Sequence, residues 1–99
     1  MADYRISARA RAQLIDIYLS TAERFGPYQA EAYHAGFERT FDLLANFPRI
    51  GAPMNDLAPG HRRFRFQSHY IFYTEEGGGT LLIRAIFHAA QDIRPALFD

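Results

Sequence analysis

The chain contains no cysteine, no tryptophan and no lysine. Without cysteine there are no disulfides, no thiol nucleophile and no thiolate metal site, a usage that fits a cytoplasmic protein. Without lysine, all 11 cationic side chains are arginines, which fork onto carboxylate or phosphate better than lysine does. Net charge is also lacking: 11 cationic and 11 anionic residues sum to +0. The chain as a whole is therefore no electrostatic magnet for nucleic acid or anionic lipid. No apolar run approaches a membrane span, and the start, MADYRISARARAQL, has no apolar segment of a signal peptide. The four histidines show no HExxH or comparable ligand spacing, so neither a metal nor another cofactor is expected. Ser68 lacks the strand–serine–helix elbow of a hydrolase. The Gly77–Gly79 run has no following helix and is no phosphate loop.

What is present suits a globular fold. Ninety-nine residues, 48% of them hydrophobic, make one domain over 1–99 with a single modest core. Tyr4 to Ile6 reads as a short first strand. Ser7 is a helix N-cap, its side-chain oxygen accepting a free N–H of the first turn. Helix one then spans Ala8 to Phe25, with Ala10, Leu14, Ile17, Tyr18, Ala22 and Phe25 at three- and four-residue steps. Gly26 and Pro27 stop it. Helix two spans Tyr28 to Phe47, with Ala30, Tyr33, Phe37, Phe41, Leu44 and Phe47 as its apolar stripe and Pro48 closing it. So short a break predicts an antiparallel hairpin. From Arg49 to Gly60 runs an ordered loop marked by Gly51, Pro53 and Pro59.

The last forty residues read as three strands. His61 to Gln67 alternates, with Arg63 and Arg65 on one face and Arg62, Phe64 and Phe66 on the other. A turn at Gln67–Ser68 sets Phe64 opposite Ile71 and Arg65 opposite Tyr70. His69 to Glu75 and Thr80 to Phe87 are apolar on both sides, which implies a sheet covered on both faces. Gly77–Gly79 fits a turn needing positive φ. Its exact length leaves the register of the last strand open, and with it the face that carries Arg84. The expected fold is thus α+β: a helical hairpin packed on one face of a three- to four-stranded, mainly antiparallel sheet. The other face needs the tail, Ile93 to Phe98, or another molecule; so short a tail favours a partner.

Two constellations carry chemistry. His88 ends the third strand and Asp92 follows four residues later. If the segment turns helical the two meet, either as a cap on the sheet or as an oriented imidazole for base catalysis or contact. Arg62, Arg63 and Arg65, joined by Arg84 in one of the two registers of the last strand, form a cationic cluster among Phe and Tyr. It suits acidic side chains of a protein partner, RNA phosphates, or simply a solvated edge. With no overall charge excess, a protein partner ranks above direct nucleic-acid binding.

Certain blocks also resemble a known family. Phe47-Pro48-Arg49-Ile50-Gly51 is similar to the Pro-x-x-Gly that follows the second helix in the ParE branch of the RelE/ParE toxins. Leu57-x-x-Gly60-x-Arg62, His69-x-Ile71-Phe72-Tyr73 and Arg84-x-Ile86-x-His88-x-x-x-Asp92 look like its later blocks, in the same order. The resemblance implies a toxin of a type II toxin–antitoxin system that stalls DNA gyrase and blocks replication. It implies a ParD-like ribbon-helix-helix antitoxin whose C-terminal segment wraps the toxin, and a contact mechanism with no catalytic residue. Arg62, Arg63, Arg65, Arg84, His88, Asp92 and Phe98 are the contact candidates. RelE-like relatives are ribosome-dependent mRNA ribonucleases using basic residues with a Tyr or His. This chain departs from them in having Tyr70 after His69 and no tyrosine after Tyr73. A third alternative is a non-toxic partner acting only in operon repression.

Overall fold

The computed structural model describes residues 3–98; residues 1, 2 and 99 of the expected 1–99 domain lie outside the described residues. Strand β1 (Asp3–Ile6) leads into helices α1 (Ala8–Phe25) and α2 (Pro27–Asn46). Then come β2 (Ala52–Pro53), β3 (Arg62–Phe66), β4 (His69–Glu75) and β5 (Thr80–His88). Short 3₁₀ turns cover Gly77–Gly79 and Pro95–Phe98.

Local chemistry explains the helix ends. Ser7 caps α1, its hydroxyl accepting the Ala10 N–H at 3.1 Å, and the same hydroxyl donates to the Arg84 carbonyl. Gly26, at φ 91°, ends α1 and begins α2, with Pro27 in the first helical turn where no N–H is needed. The hairpin packs on one face of the sheet. Its core joins Ala10, Leu14, Phe37, Phe41 and Leu44 to Ile71, Tyr73, Leu81, Ile83 and Ile86. The ends of the predicted stripes escape this core: Phe25 is 68% and Phe47 59% exposed. α1 starts partway along β5, where the Ser7 N–H and hydroxyl donate to the Ile83 and Arg84 carbonyls; an 18-residue helix extends about 27 Å while Arg84 to His88 leaves about 13 Å of strand, so the far end of α1 overshoots the sheet.

The sheet order is β1-β5-β4-β3-β2. β1 pairs parallel with β5, and the remaining pairs are antiparallel. The first hairpin has the expected register, Phe64 opposite Ile71 and Arg65 opposite Tyr70. A fifth strand exceeds the expected count: β2, two residues within the loop, pairs with β3. Its Pro53 stands on the sheet edge, where a missing donor costs no ladder bond.

The register of β5 changes partway. Phe72 faces Ala85 while Tyr73 faces Ile83, so Arg84 is the extra residue of a β-bulge. Leu81 and Ile83 point to the helices before the bulge and Ile86 after it, while Ala85 and Phe87 point away. A strand apolar on both parities therefore satisfies two cores.

The second face corrects the expectation of an outside cover. Phe72, Ala85 and Phe87 are buried beneath Met54 and Leu57 of the loop and Ile93, Leu97 and Phe98 of the tail. Phe98 sits edge-on to Phe72 at 5.0 Å between ring centres. Arg9, at the start of α1, donates to the Leu97 carbonyl and so ties the tail to the helical layer. The tail is short, but the loop supplies the rest of the cover.

Candidate functional site

Strand parity divides the arginines. Arg62 lies on the helix-side face with Phe64 and Phe66, and its guanidinium donates to the Gly51 carbonyl at 2.8 Å and, more weakly, to the Arg49 carbonyl at 3.4 Å. Beside it the Tyr73 hydroxyl donates to the Pro48 carbonyl at 2.8 Å and accepts the Gly51 N–H at 2.9 Å. Burial pushes the Tyr73 phenol up, partly opposed by that Gly51 N–H and by Arg62. Pro48, Gly51, Arg62 and Tyr73 thus form one knot that fixes the loop entering β2. The knot explains the glycine: a Cβ at Gly51 would stand 2.3 Å from the Tyr73 oxygen.

Arg63 and Arg65 lie on the opposite face. The Arg63 guanidinium stands 4.3 Å from the centre of the Tyr70 ring and that of Arg65 stands 5.6 Å from it. A cation over an aromatic face is held electrostatically and remains open to an anion. Arg65 also donates to the Gln67 carbonyl. Among the described residues neither arginine has a carboxylate partner. Phe98 and the tail flank this surface, and His61 meets Phe98 edge-on at 5.3 Å.

Arg84 shares the outer face but not the cluster. Its Nε donates to the Thr74 hydroxyl at 3.1 Å, with Glu76 3.9 Å away. Thr74 lies four residues along β4 from Tyr70, about 13 Å. The bulge that turns Arg84 outward could not be placed from the sequence.

His88 and Asp92 do not meet. Asp92 accepts from Arg94 at 2.7 Å, and the His88 Nδ1 accepts the Ala90 N–H at 3.0 Å. A tight turn follows β5, where a continuing helix would have been needed to bring the pair together. His88 instead faces His69, its cross-strand partner, with 5.2 Å between ring centres. The His69 Nδ1 lies 2.8 Å from the Tyr33 hydroxyl. Burial and the neighbouring His88 hold the His69 imidazole below its ordinary range. Burial raises the Tyr33 phenol, while the Ser68 backbone N–H on its oxygen pulls the other way. These three side chains line a cleft of about 680 Å³ beneath the overshooting hairpin. Sequence reading missed the trio, because only strand register brings His69 to His88 and only the hairpin's placement adds Tyr33.

The described residues include no group of three or more His, Cys, Asp or Glu placed to hold a metal ion. Among them no helix is long and apolar enough to cross a membrane.

A family model described as ParE toxin of type II toxin–antitoxin system, parDE, matches residues 4–93. Toxin ParE1 of Mycobacterium tuberculosis is 34% identical over 90 residues, covering 91% of this chain and 92% of its own. Toxin ParE of Escherichia coli is 31% identical over 99 residues, covering 100% and 96%. A chain of the chromosomal ParDE toxin–antitoxin system from P. aeruginosa superposes with a TM-score of 0.75 at 20% identity, over 89% of this chain and 96% of that one. One from the RelBE2 toxin–antitoxin complex of Mycobacterium tuberculosis reaches 0.63 at 21% identity, over 88% and 96%. The two structural likenesses concern the fold.

Proposed function

The chain belongs to the ParE toxin family of type II toxin–antitoxin systems, and from that premise we propose that it inhibits DNA gyrase by contact and is neutralised by a ParD-like antitoxin. The observation that carries this reading is the pair Arg63 and Arg65, braced on Tyr70 and lacking a carboxylate partner among the described residues. Charge-assisted bonds to guanidinium are the strong ones, so an acidic antitoxin segment laid along the outer face would find two open forks. The loop and tail already cover the apolar part of that face. The antitoxin is therefore needed for charge and for access rather than for folding.

Of the seven contact candidates, Arg63, Arg65 and Phe98 belong to one surface. Arg84 adds a second cationic point on the same face. Arg62 acts from within the Gly51–Tyr73 knot, His88 opens on the cleft, and Asp92 is held by Arg94 at the tail. The working compartment proposed is the cytoplasm, where gyrase and the chromosome are.

The test is induction without the antitoxin, with DNA and protein synthesis pulse-labelled in the same culture. DNA synthesis should stop first, and purified gyrase should then accumulate cleaved DNA in the toxin's presence. Protein synthesis stopping first would replace this reading with a RelE-like ribonuclease. No effect despite soluble expression would leave a partner acting only in repression. Arg63→Ala with Arg65→Ala should weaken antitoxin binding by more than tenfold, about 1.4 kcal/mol, with the fold unchanged by circular dichroism.

A further inference from the structure

The solvent side of α1 plays no part in the contact reading, since Arg63 and Arg65 lie across the sheet from the helices. Ala8, Ala12, Ile15, Leu19 and Ala22 follow one another along this helix at steps of four, three, four and three residues. That alternation is the spacing of a coiled-coil seam. At about 100° per residue the five fall in one stripe, turned about 140° from the buried Ala10 and Leu14. The first four are exposed, Ile15 at 54% and Leu19 at 59%. α2 does not cover them: it meets α1 on the flank of Tyr18, whose hydroxyl donates to Glu31. Helix propensity accounts for the alanines and for Leu19. It does not account for Ile15, whose β-branched side chain is a poorer helix former.

Charges flank the seam asymmetrically. Arg11 borders it on the Tyr18 side and Asp16 on the other. Five helical residues apart, the two point about 140° away from each other and cannot pair within the helix. Neither has an ion-pair partner among the described residues. A second α1 laid antiparallel, with Ile15 against Leu19, would set Asp16 of one copy against Asp16 of the other. A second α1 laid parallel sets Arg11 of each copy against Asp16 of the other, twice by symmetry. The flanking charges thus match a second copy of this chain, in the parallel orientation.

We propose that the chain self-associates through this seam as a two-fold dimer with its α1 helices parallel. Ile15 meets Ile15 and Leu19 meets Leu19 across the axis, the alanines let the helices approach closely, and two Arg11–Asp16 pairs fix the orientation. The seam is about 27 Å long and about 10 Å wide. That is on the order of 300 Å² on each copy, against roughly 800 Å² per partner in a stable complex. The dimer is therefore weak, with a dissociation constant on the order of 100 μM. It leaves the Arg63–Arg65 face of both copies open and does not depend on the gyrase reading.

The experiment is sedimentation equilibrium of the full chain at low salt, from about 10 μM to about 1 mM. The mass should rise from one chain to two, with half conversion near about 100 μM. Ile15→Glu with Leu19→Glu should weaken association more than tenfold. Both side chains are already about half in solvent, so circular dichroism should show the fold unchanged. Asp16→Arg alone sets Arg11 against a like charge and should weaken the dimer about tenfold; Arg11→Asp added to it should restore the parent's affinity. Because the chain has no cysteine, Ala12→Cys supplies a single thiol, which should cross-link to its own copy on oxidation. A 12-to-22 cross-link as the main product of a mixture with Ala22→Cys overturns the parallel orientation. A chain that stays monomeric to about 1 mM, or a mass beyond two chains, overturns the dimer. Association untouched by the Glu substitutions overturns the seam, and a monomeric chain whose Glu variant loses antitoxin binding gives this face to the antitoxin instead.

Discussion

Gly51→Ala tests the knot that holds the loop against the sheet. A Cβ there would stand 2.3 Å from the Tyr73 hydroxyl oxygen, 2.8 Å from Cε1 of the same ring and 2.9 Å from the Arg63 carbonyl oxygen. All three distances are shorter than real Cβ contacts. Tyr73 is 0% exposed, so its ring cannot swing aside into solvent, and the third obstacle is backbone. Gly51 has no positive φ, so the cost is one of space. Overpacking a core site costs about 1–3 kcal/mol. Displacing the hydroxyl strands the Gly51 N–H or the Pro48 carbonyl at about 1–3 kcal/mol more. The expected loss is about 2–6 kcal/mol, a large share of the 5–15 kcal/mol typical of a domain.

Urea unfolding followed by circular dichroism reads this directly. With a slope near 2 kcal/mol/M, the midpoint should fall by roughly 2 M. Tyr73→Phe removes the oxygen that the Cβ would strike and should cost about 1–3 kcal/mol alone. In that background Gly51→Ala has lost its closest clash and its bond to the hydroxyl, so it should cost less than alone. The two changes should therefore fall short of additivity by about 1–2 kcal/mol. A Gly51→Ala protein within about 1 kcal/mol of the parent, or two strictly additive changes, would refute the knot.

Three further outcomes follow from other contacts. His69 has its folded-state pKa depressed by burial and by His88. The unfolded chain therefore takes up the proton first, and stability should fall as pH drops below the unfolded value near 6.5; urea midpoints between pH 7.5 and 5.5 should show a slope that His69→Gln reduces. Phe98→Ala uncovers Phe72 and Phe87, which Phe98 meets at 5.0 and 5.9 Å between ring centres; a loss of about 1–3 kcal/mol and new binding of an apolar dye are expected, and an unchanged melting curve would show that the tail is no lid. Arg63→Ala breaks the stack on Tyr70 and should change stability by less than about 1 kcal/mol, while Arg62→Ala removes the guanidinium from the Gly51 carbonyl and should cost more; the reverse order in the same urea series would overturn the assignment of the two residues to different faces.

Those two neighbours show what the sequence could and could not convey. Alternation through His61–Gln67 was enough to separate Arg62 from Arg63 and Arg65, because strand parity is strict where a strand is regular. It was also enough to set β3 on β4, since the two-residue turn admits one register. The same rule failed for β5, where a bulge at Arg84 reverses parity within one strand. The apolar run on both sides of that bulge carries no mark of it: Leu81 and Ile83 serve one core and Ala85 and Phe87 the other. The two-residue β2 was hidden for a different reason. Its pairing comes from the loop being held by Tyr73 and Arg62, which lie 22 and 11 residues away from Gly51 in sequence.

The site divides along the same line. Charge and aromatic neighbours made the Arg63–Arg65–Tyr70 surface legible, because each partner lies opposite or near the others on adjacent strands. His88 and Asp92 misled, since a four-residue spacing brings side chains together only on a helix, and here the chain turns instead. The Asp92 carboxylate takes the nearest cation, Arg94, in an exposed pair worth little to stability. His88 is left to face its strand partner, and the distance between two histidines 19 residues apart becomes the defining feature of the cleft. A residue's chemistry was readable in the chain, but its partner was set by register, and the register of β5 depended on a bulge. The resemblance to the toxin family directed attention to the Arg face; the cleft is visible only once the hairpin is placed on the sheet, where the far half of α1 faces the Gln67–Ser68 turn.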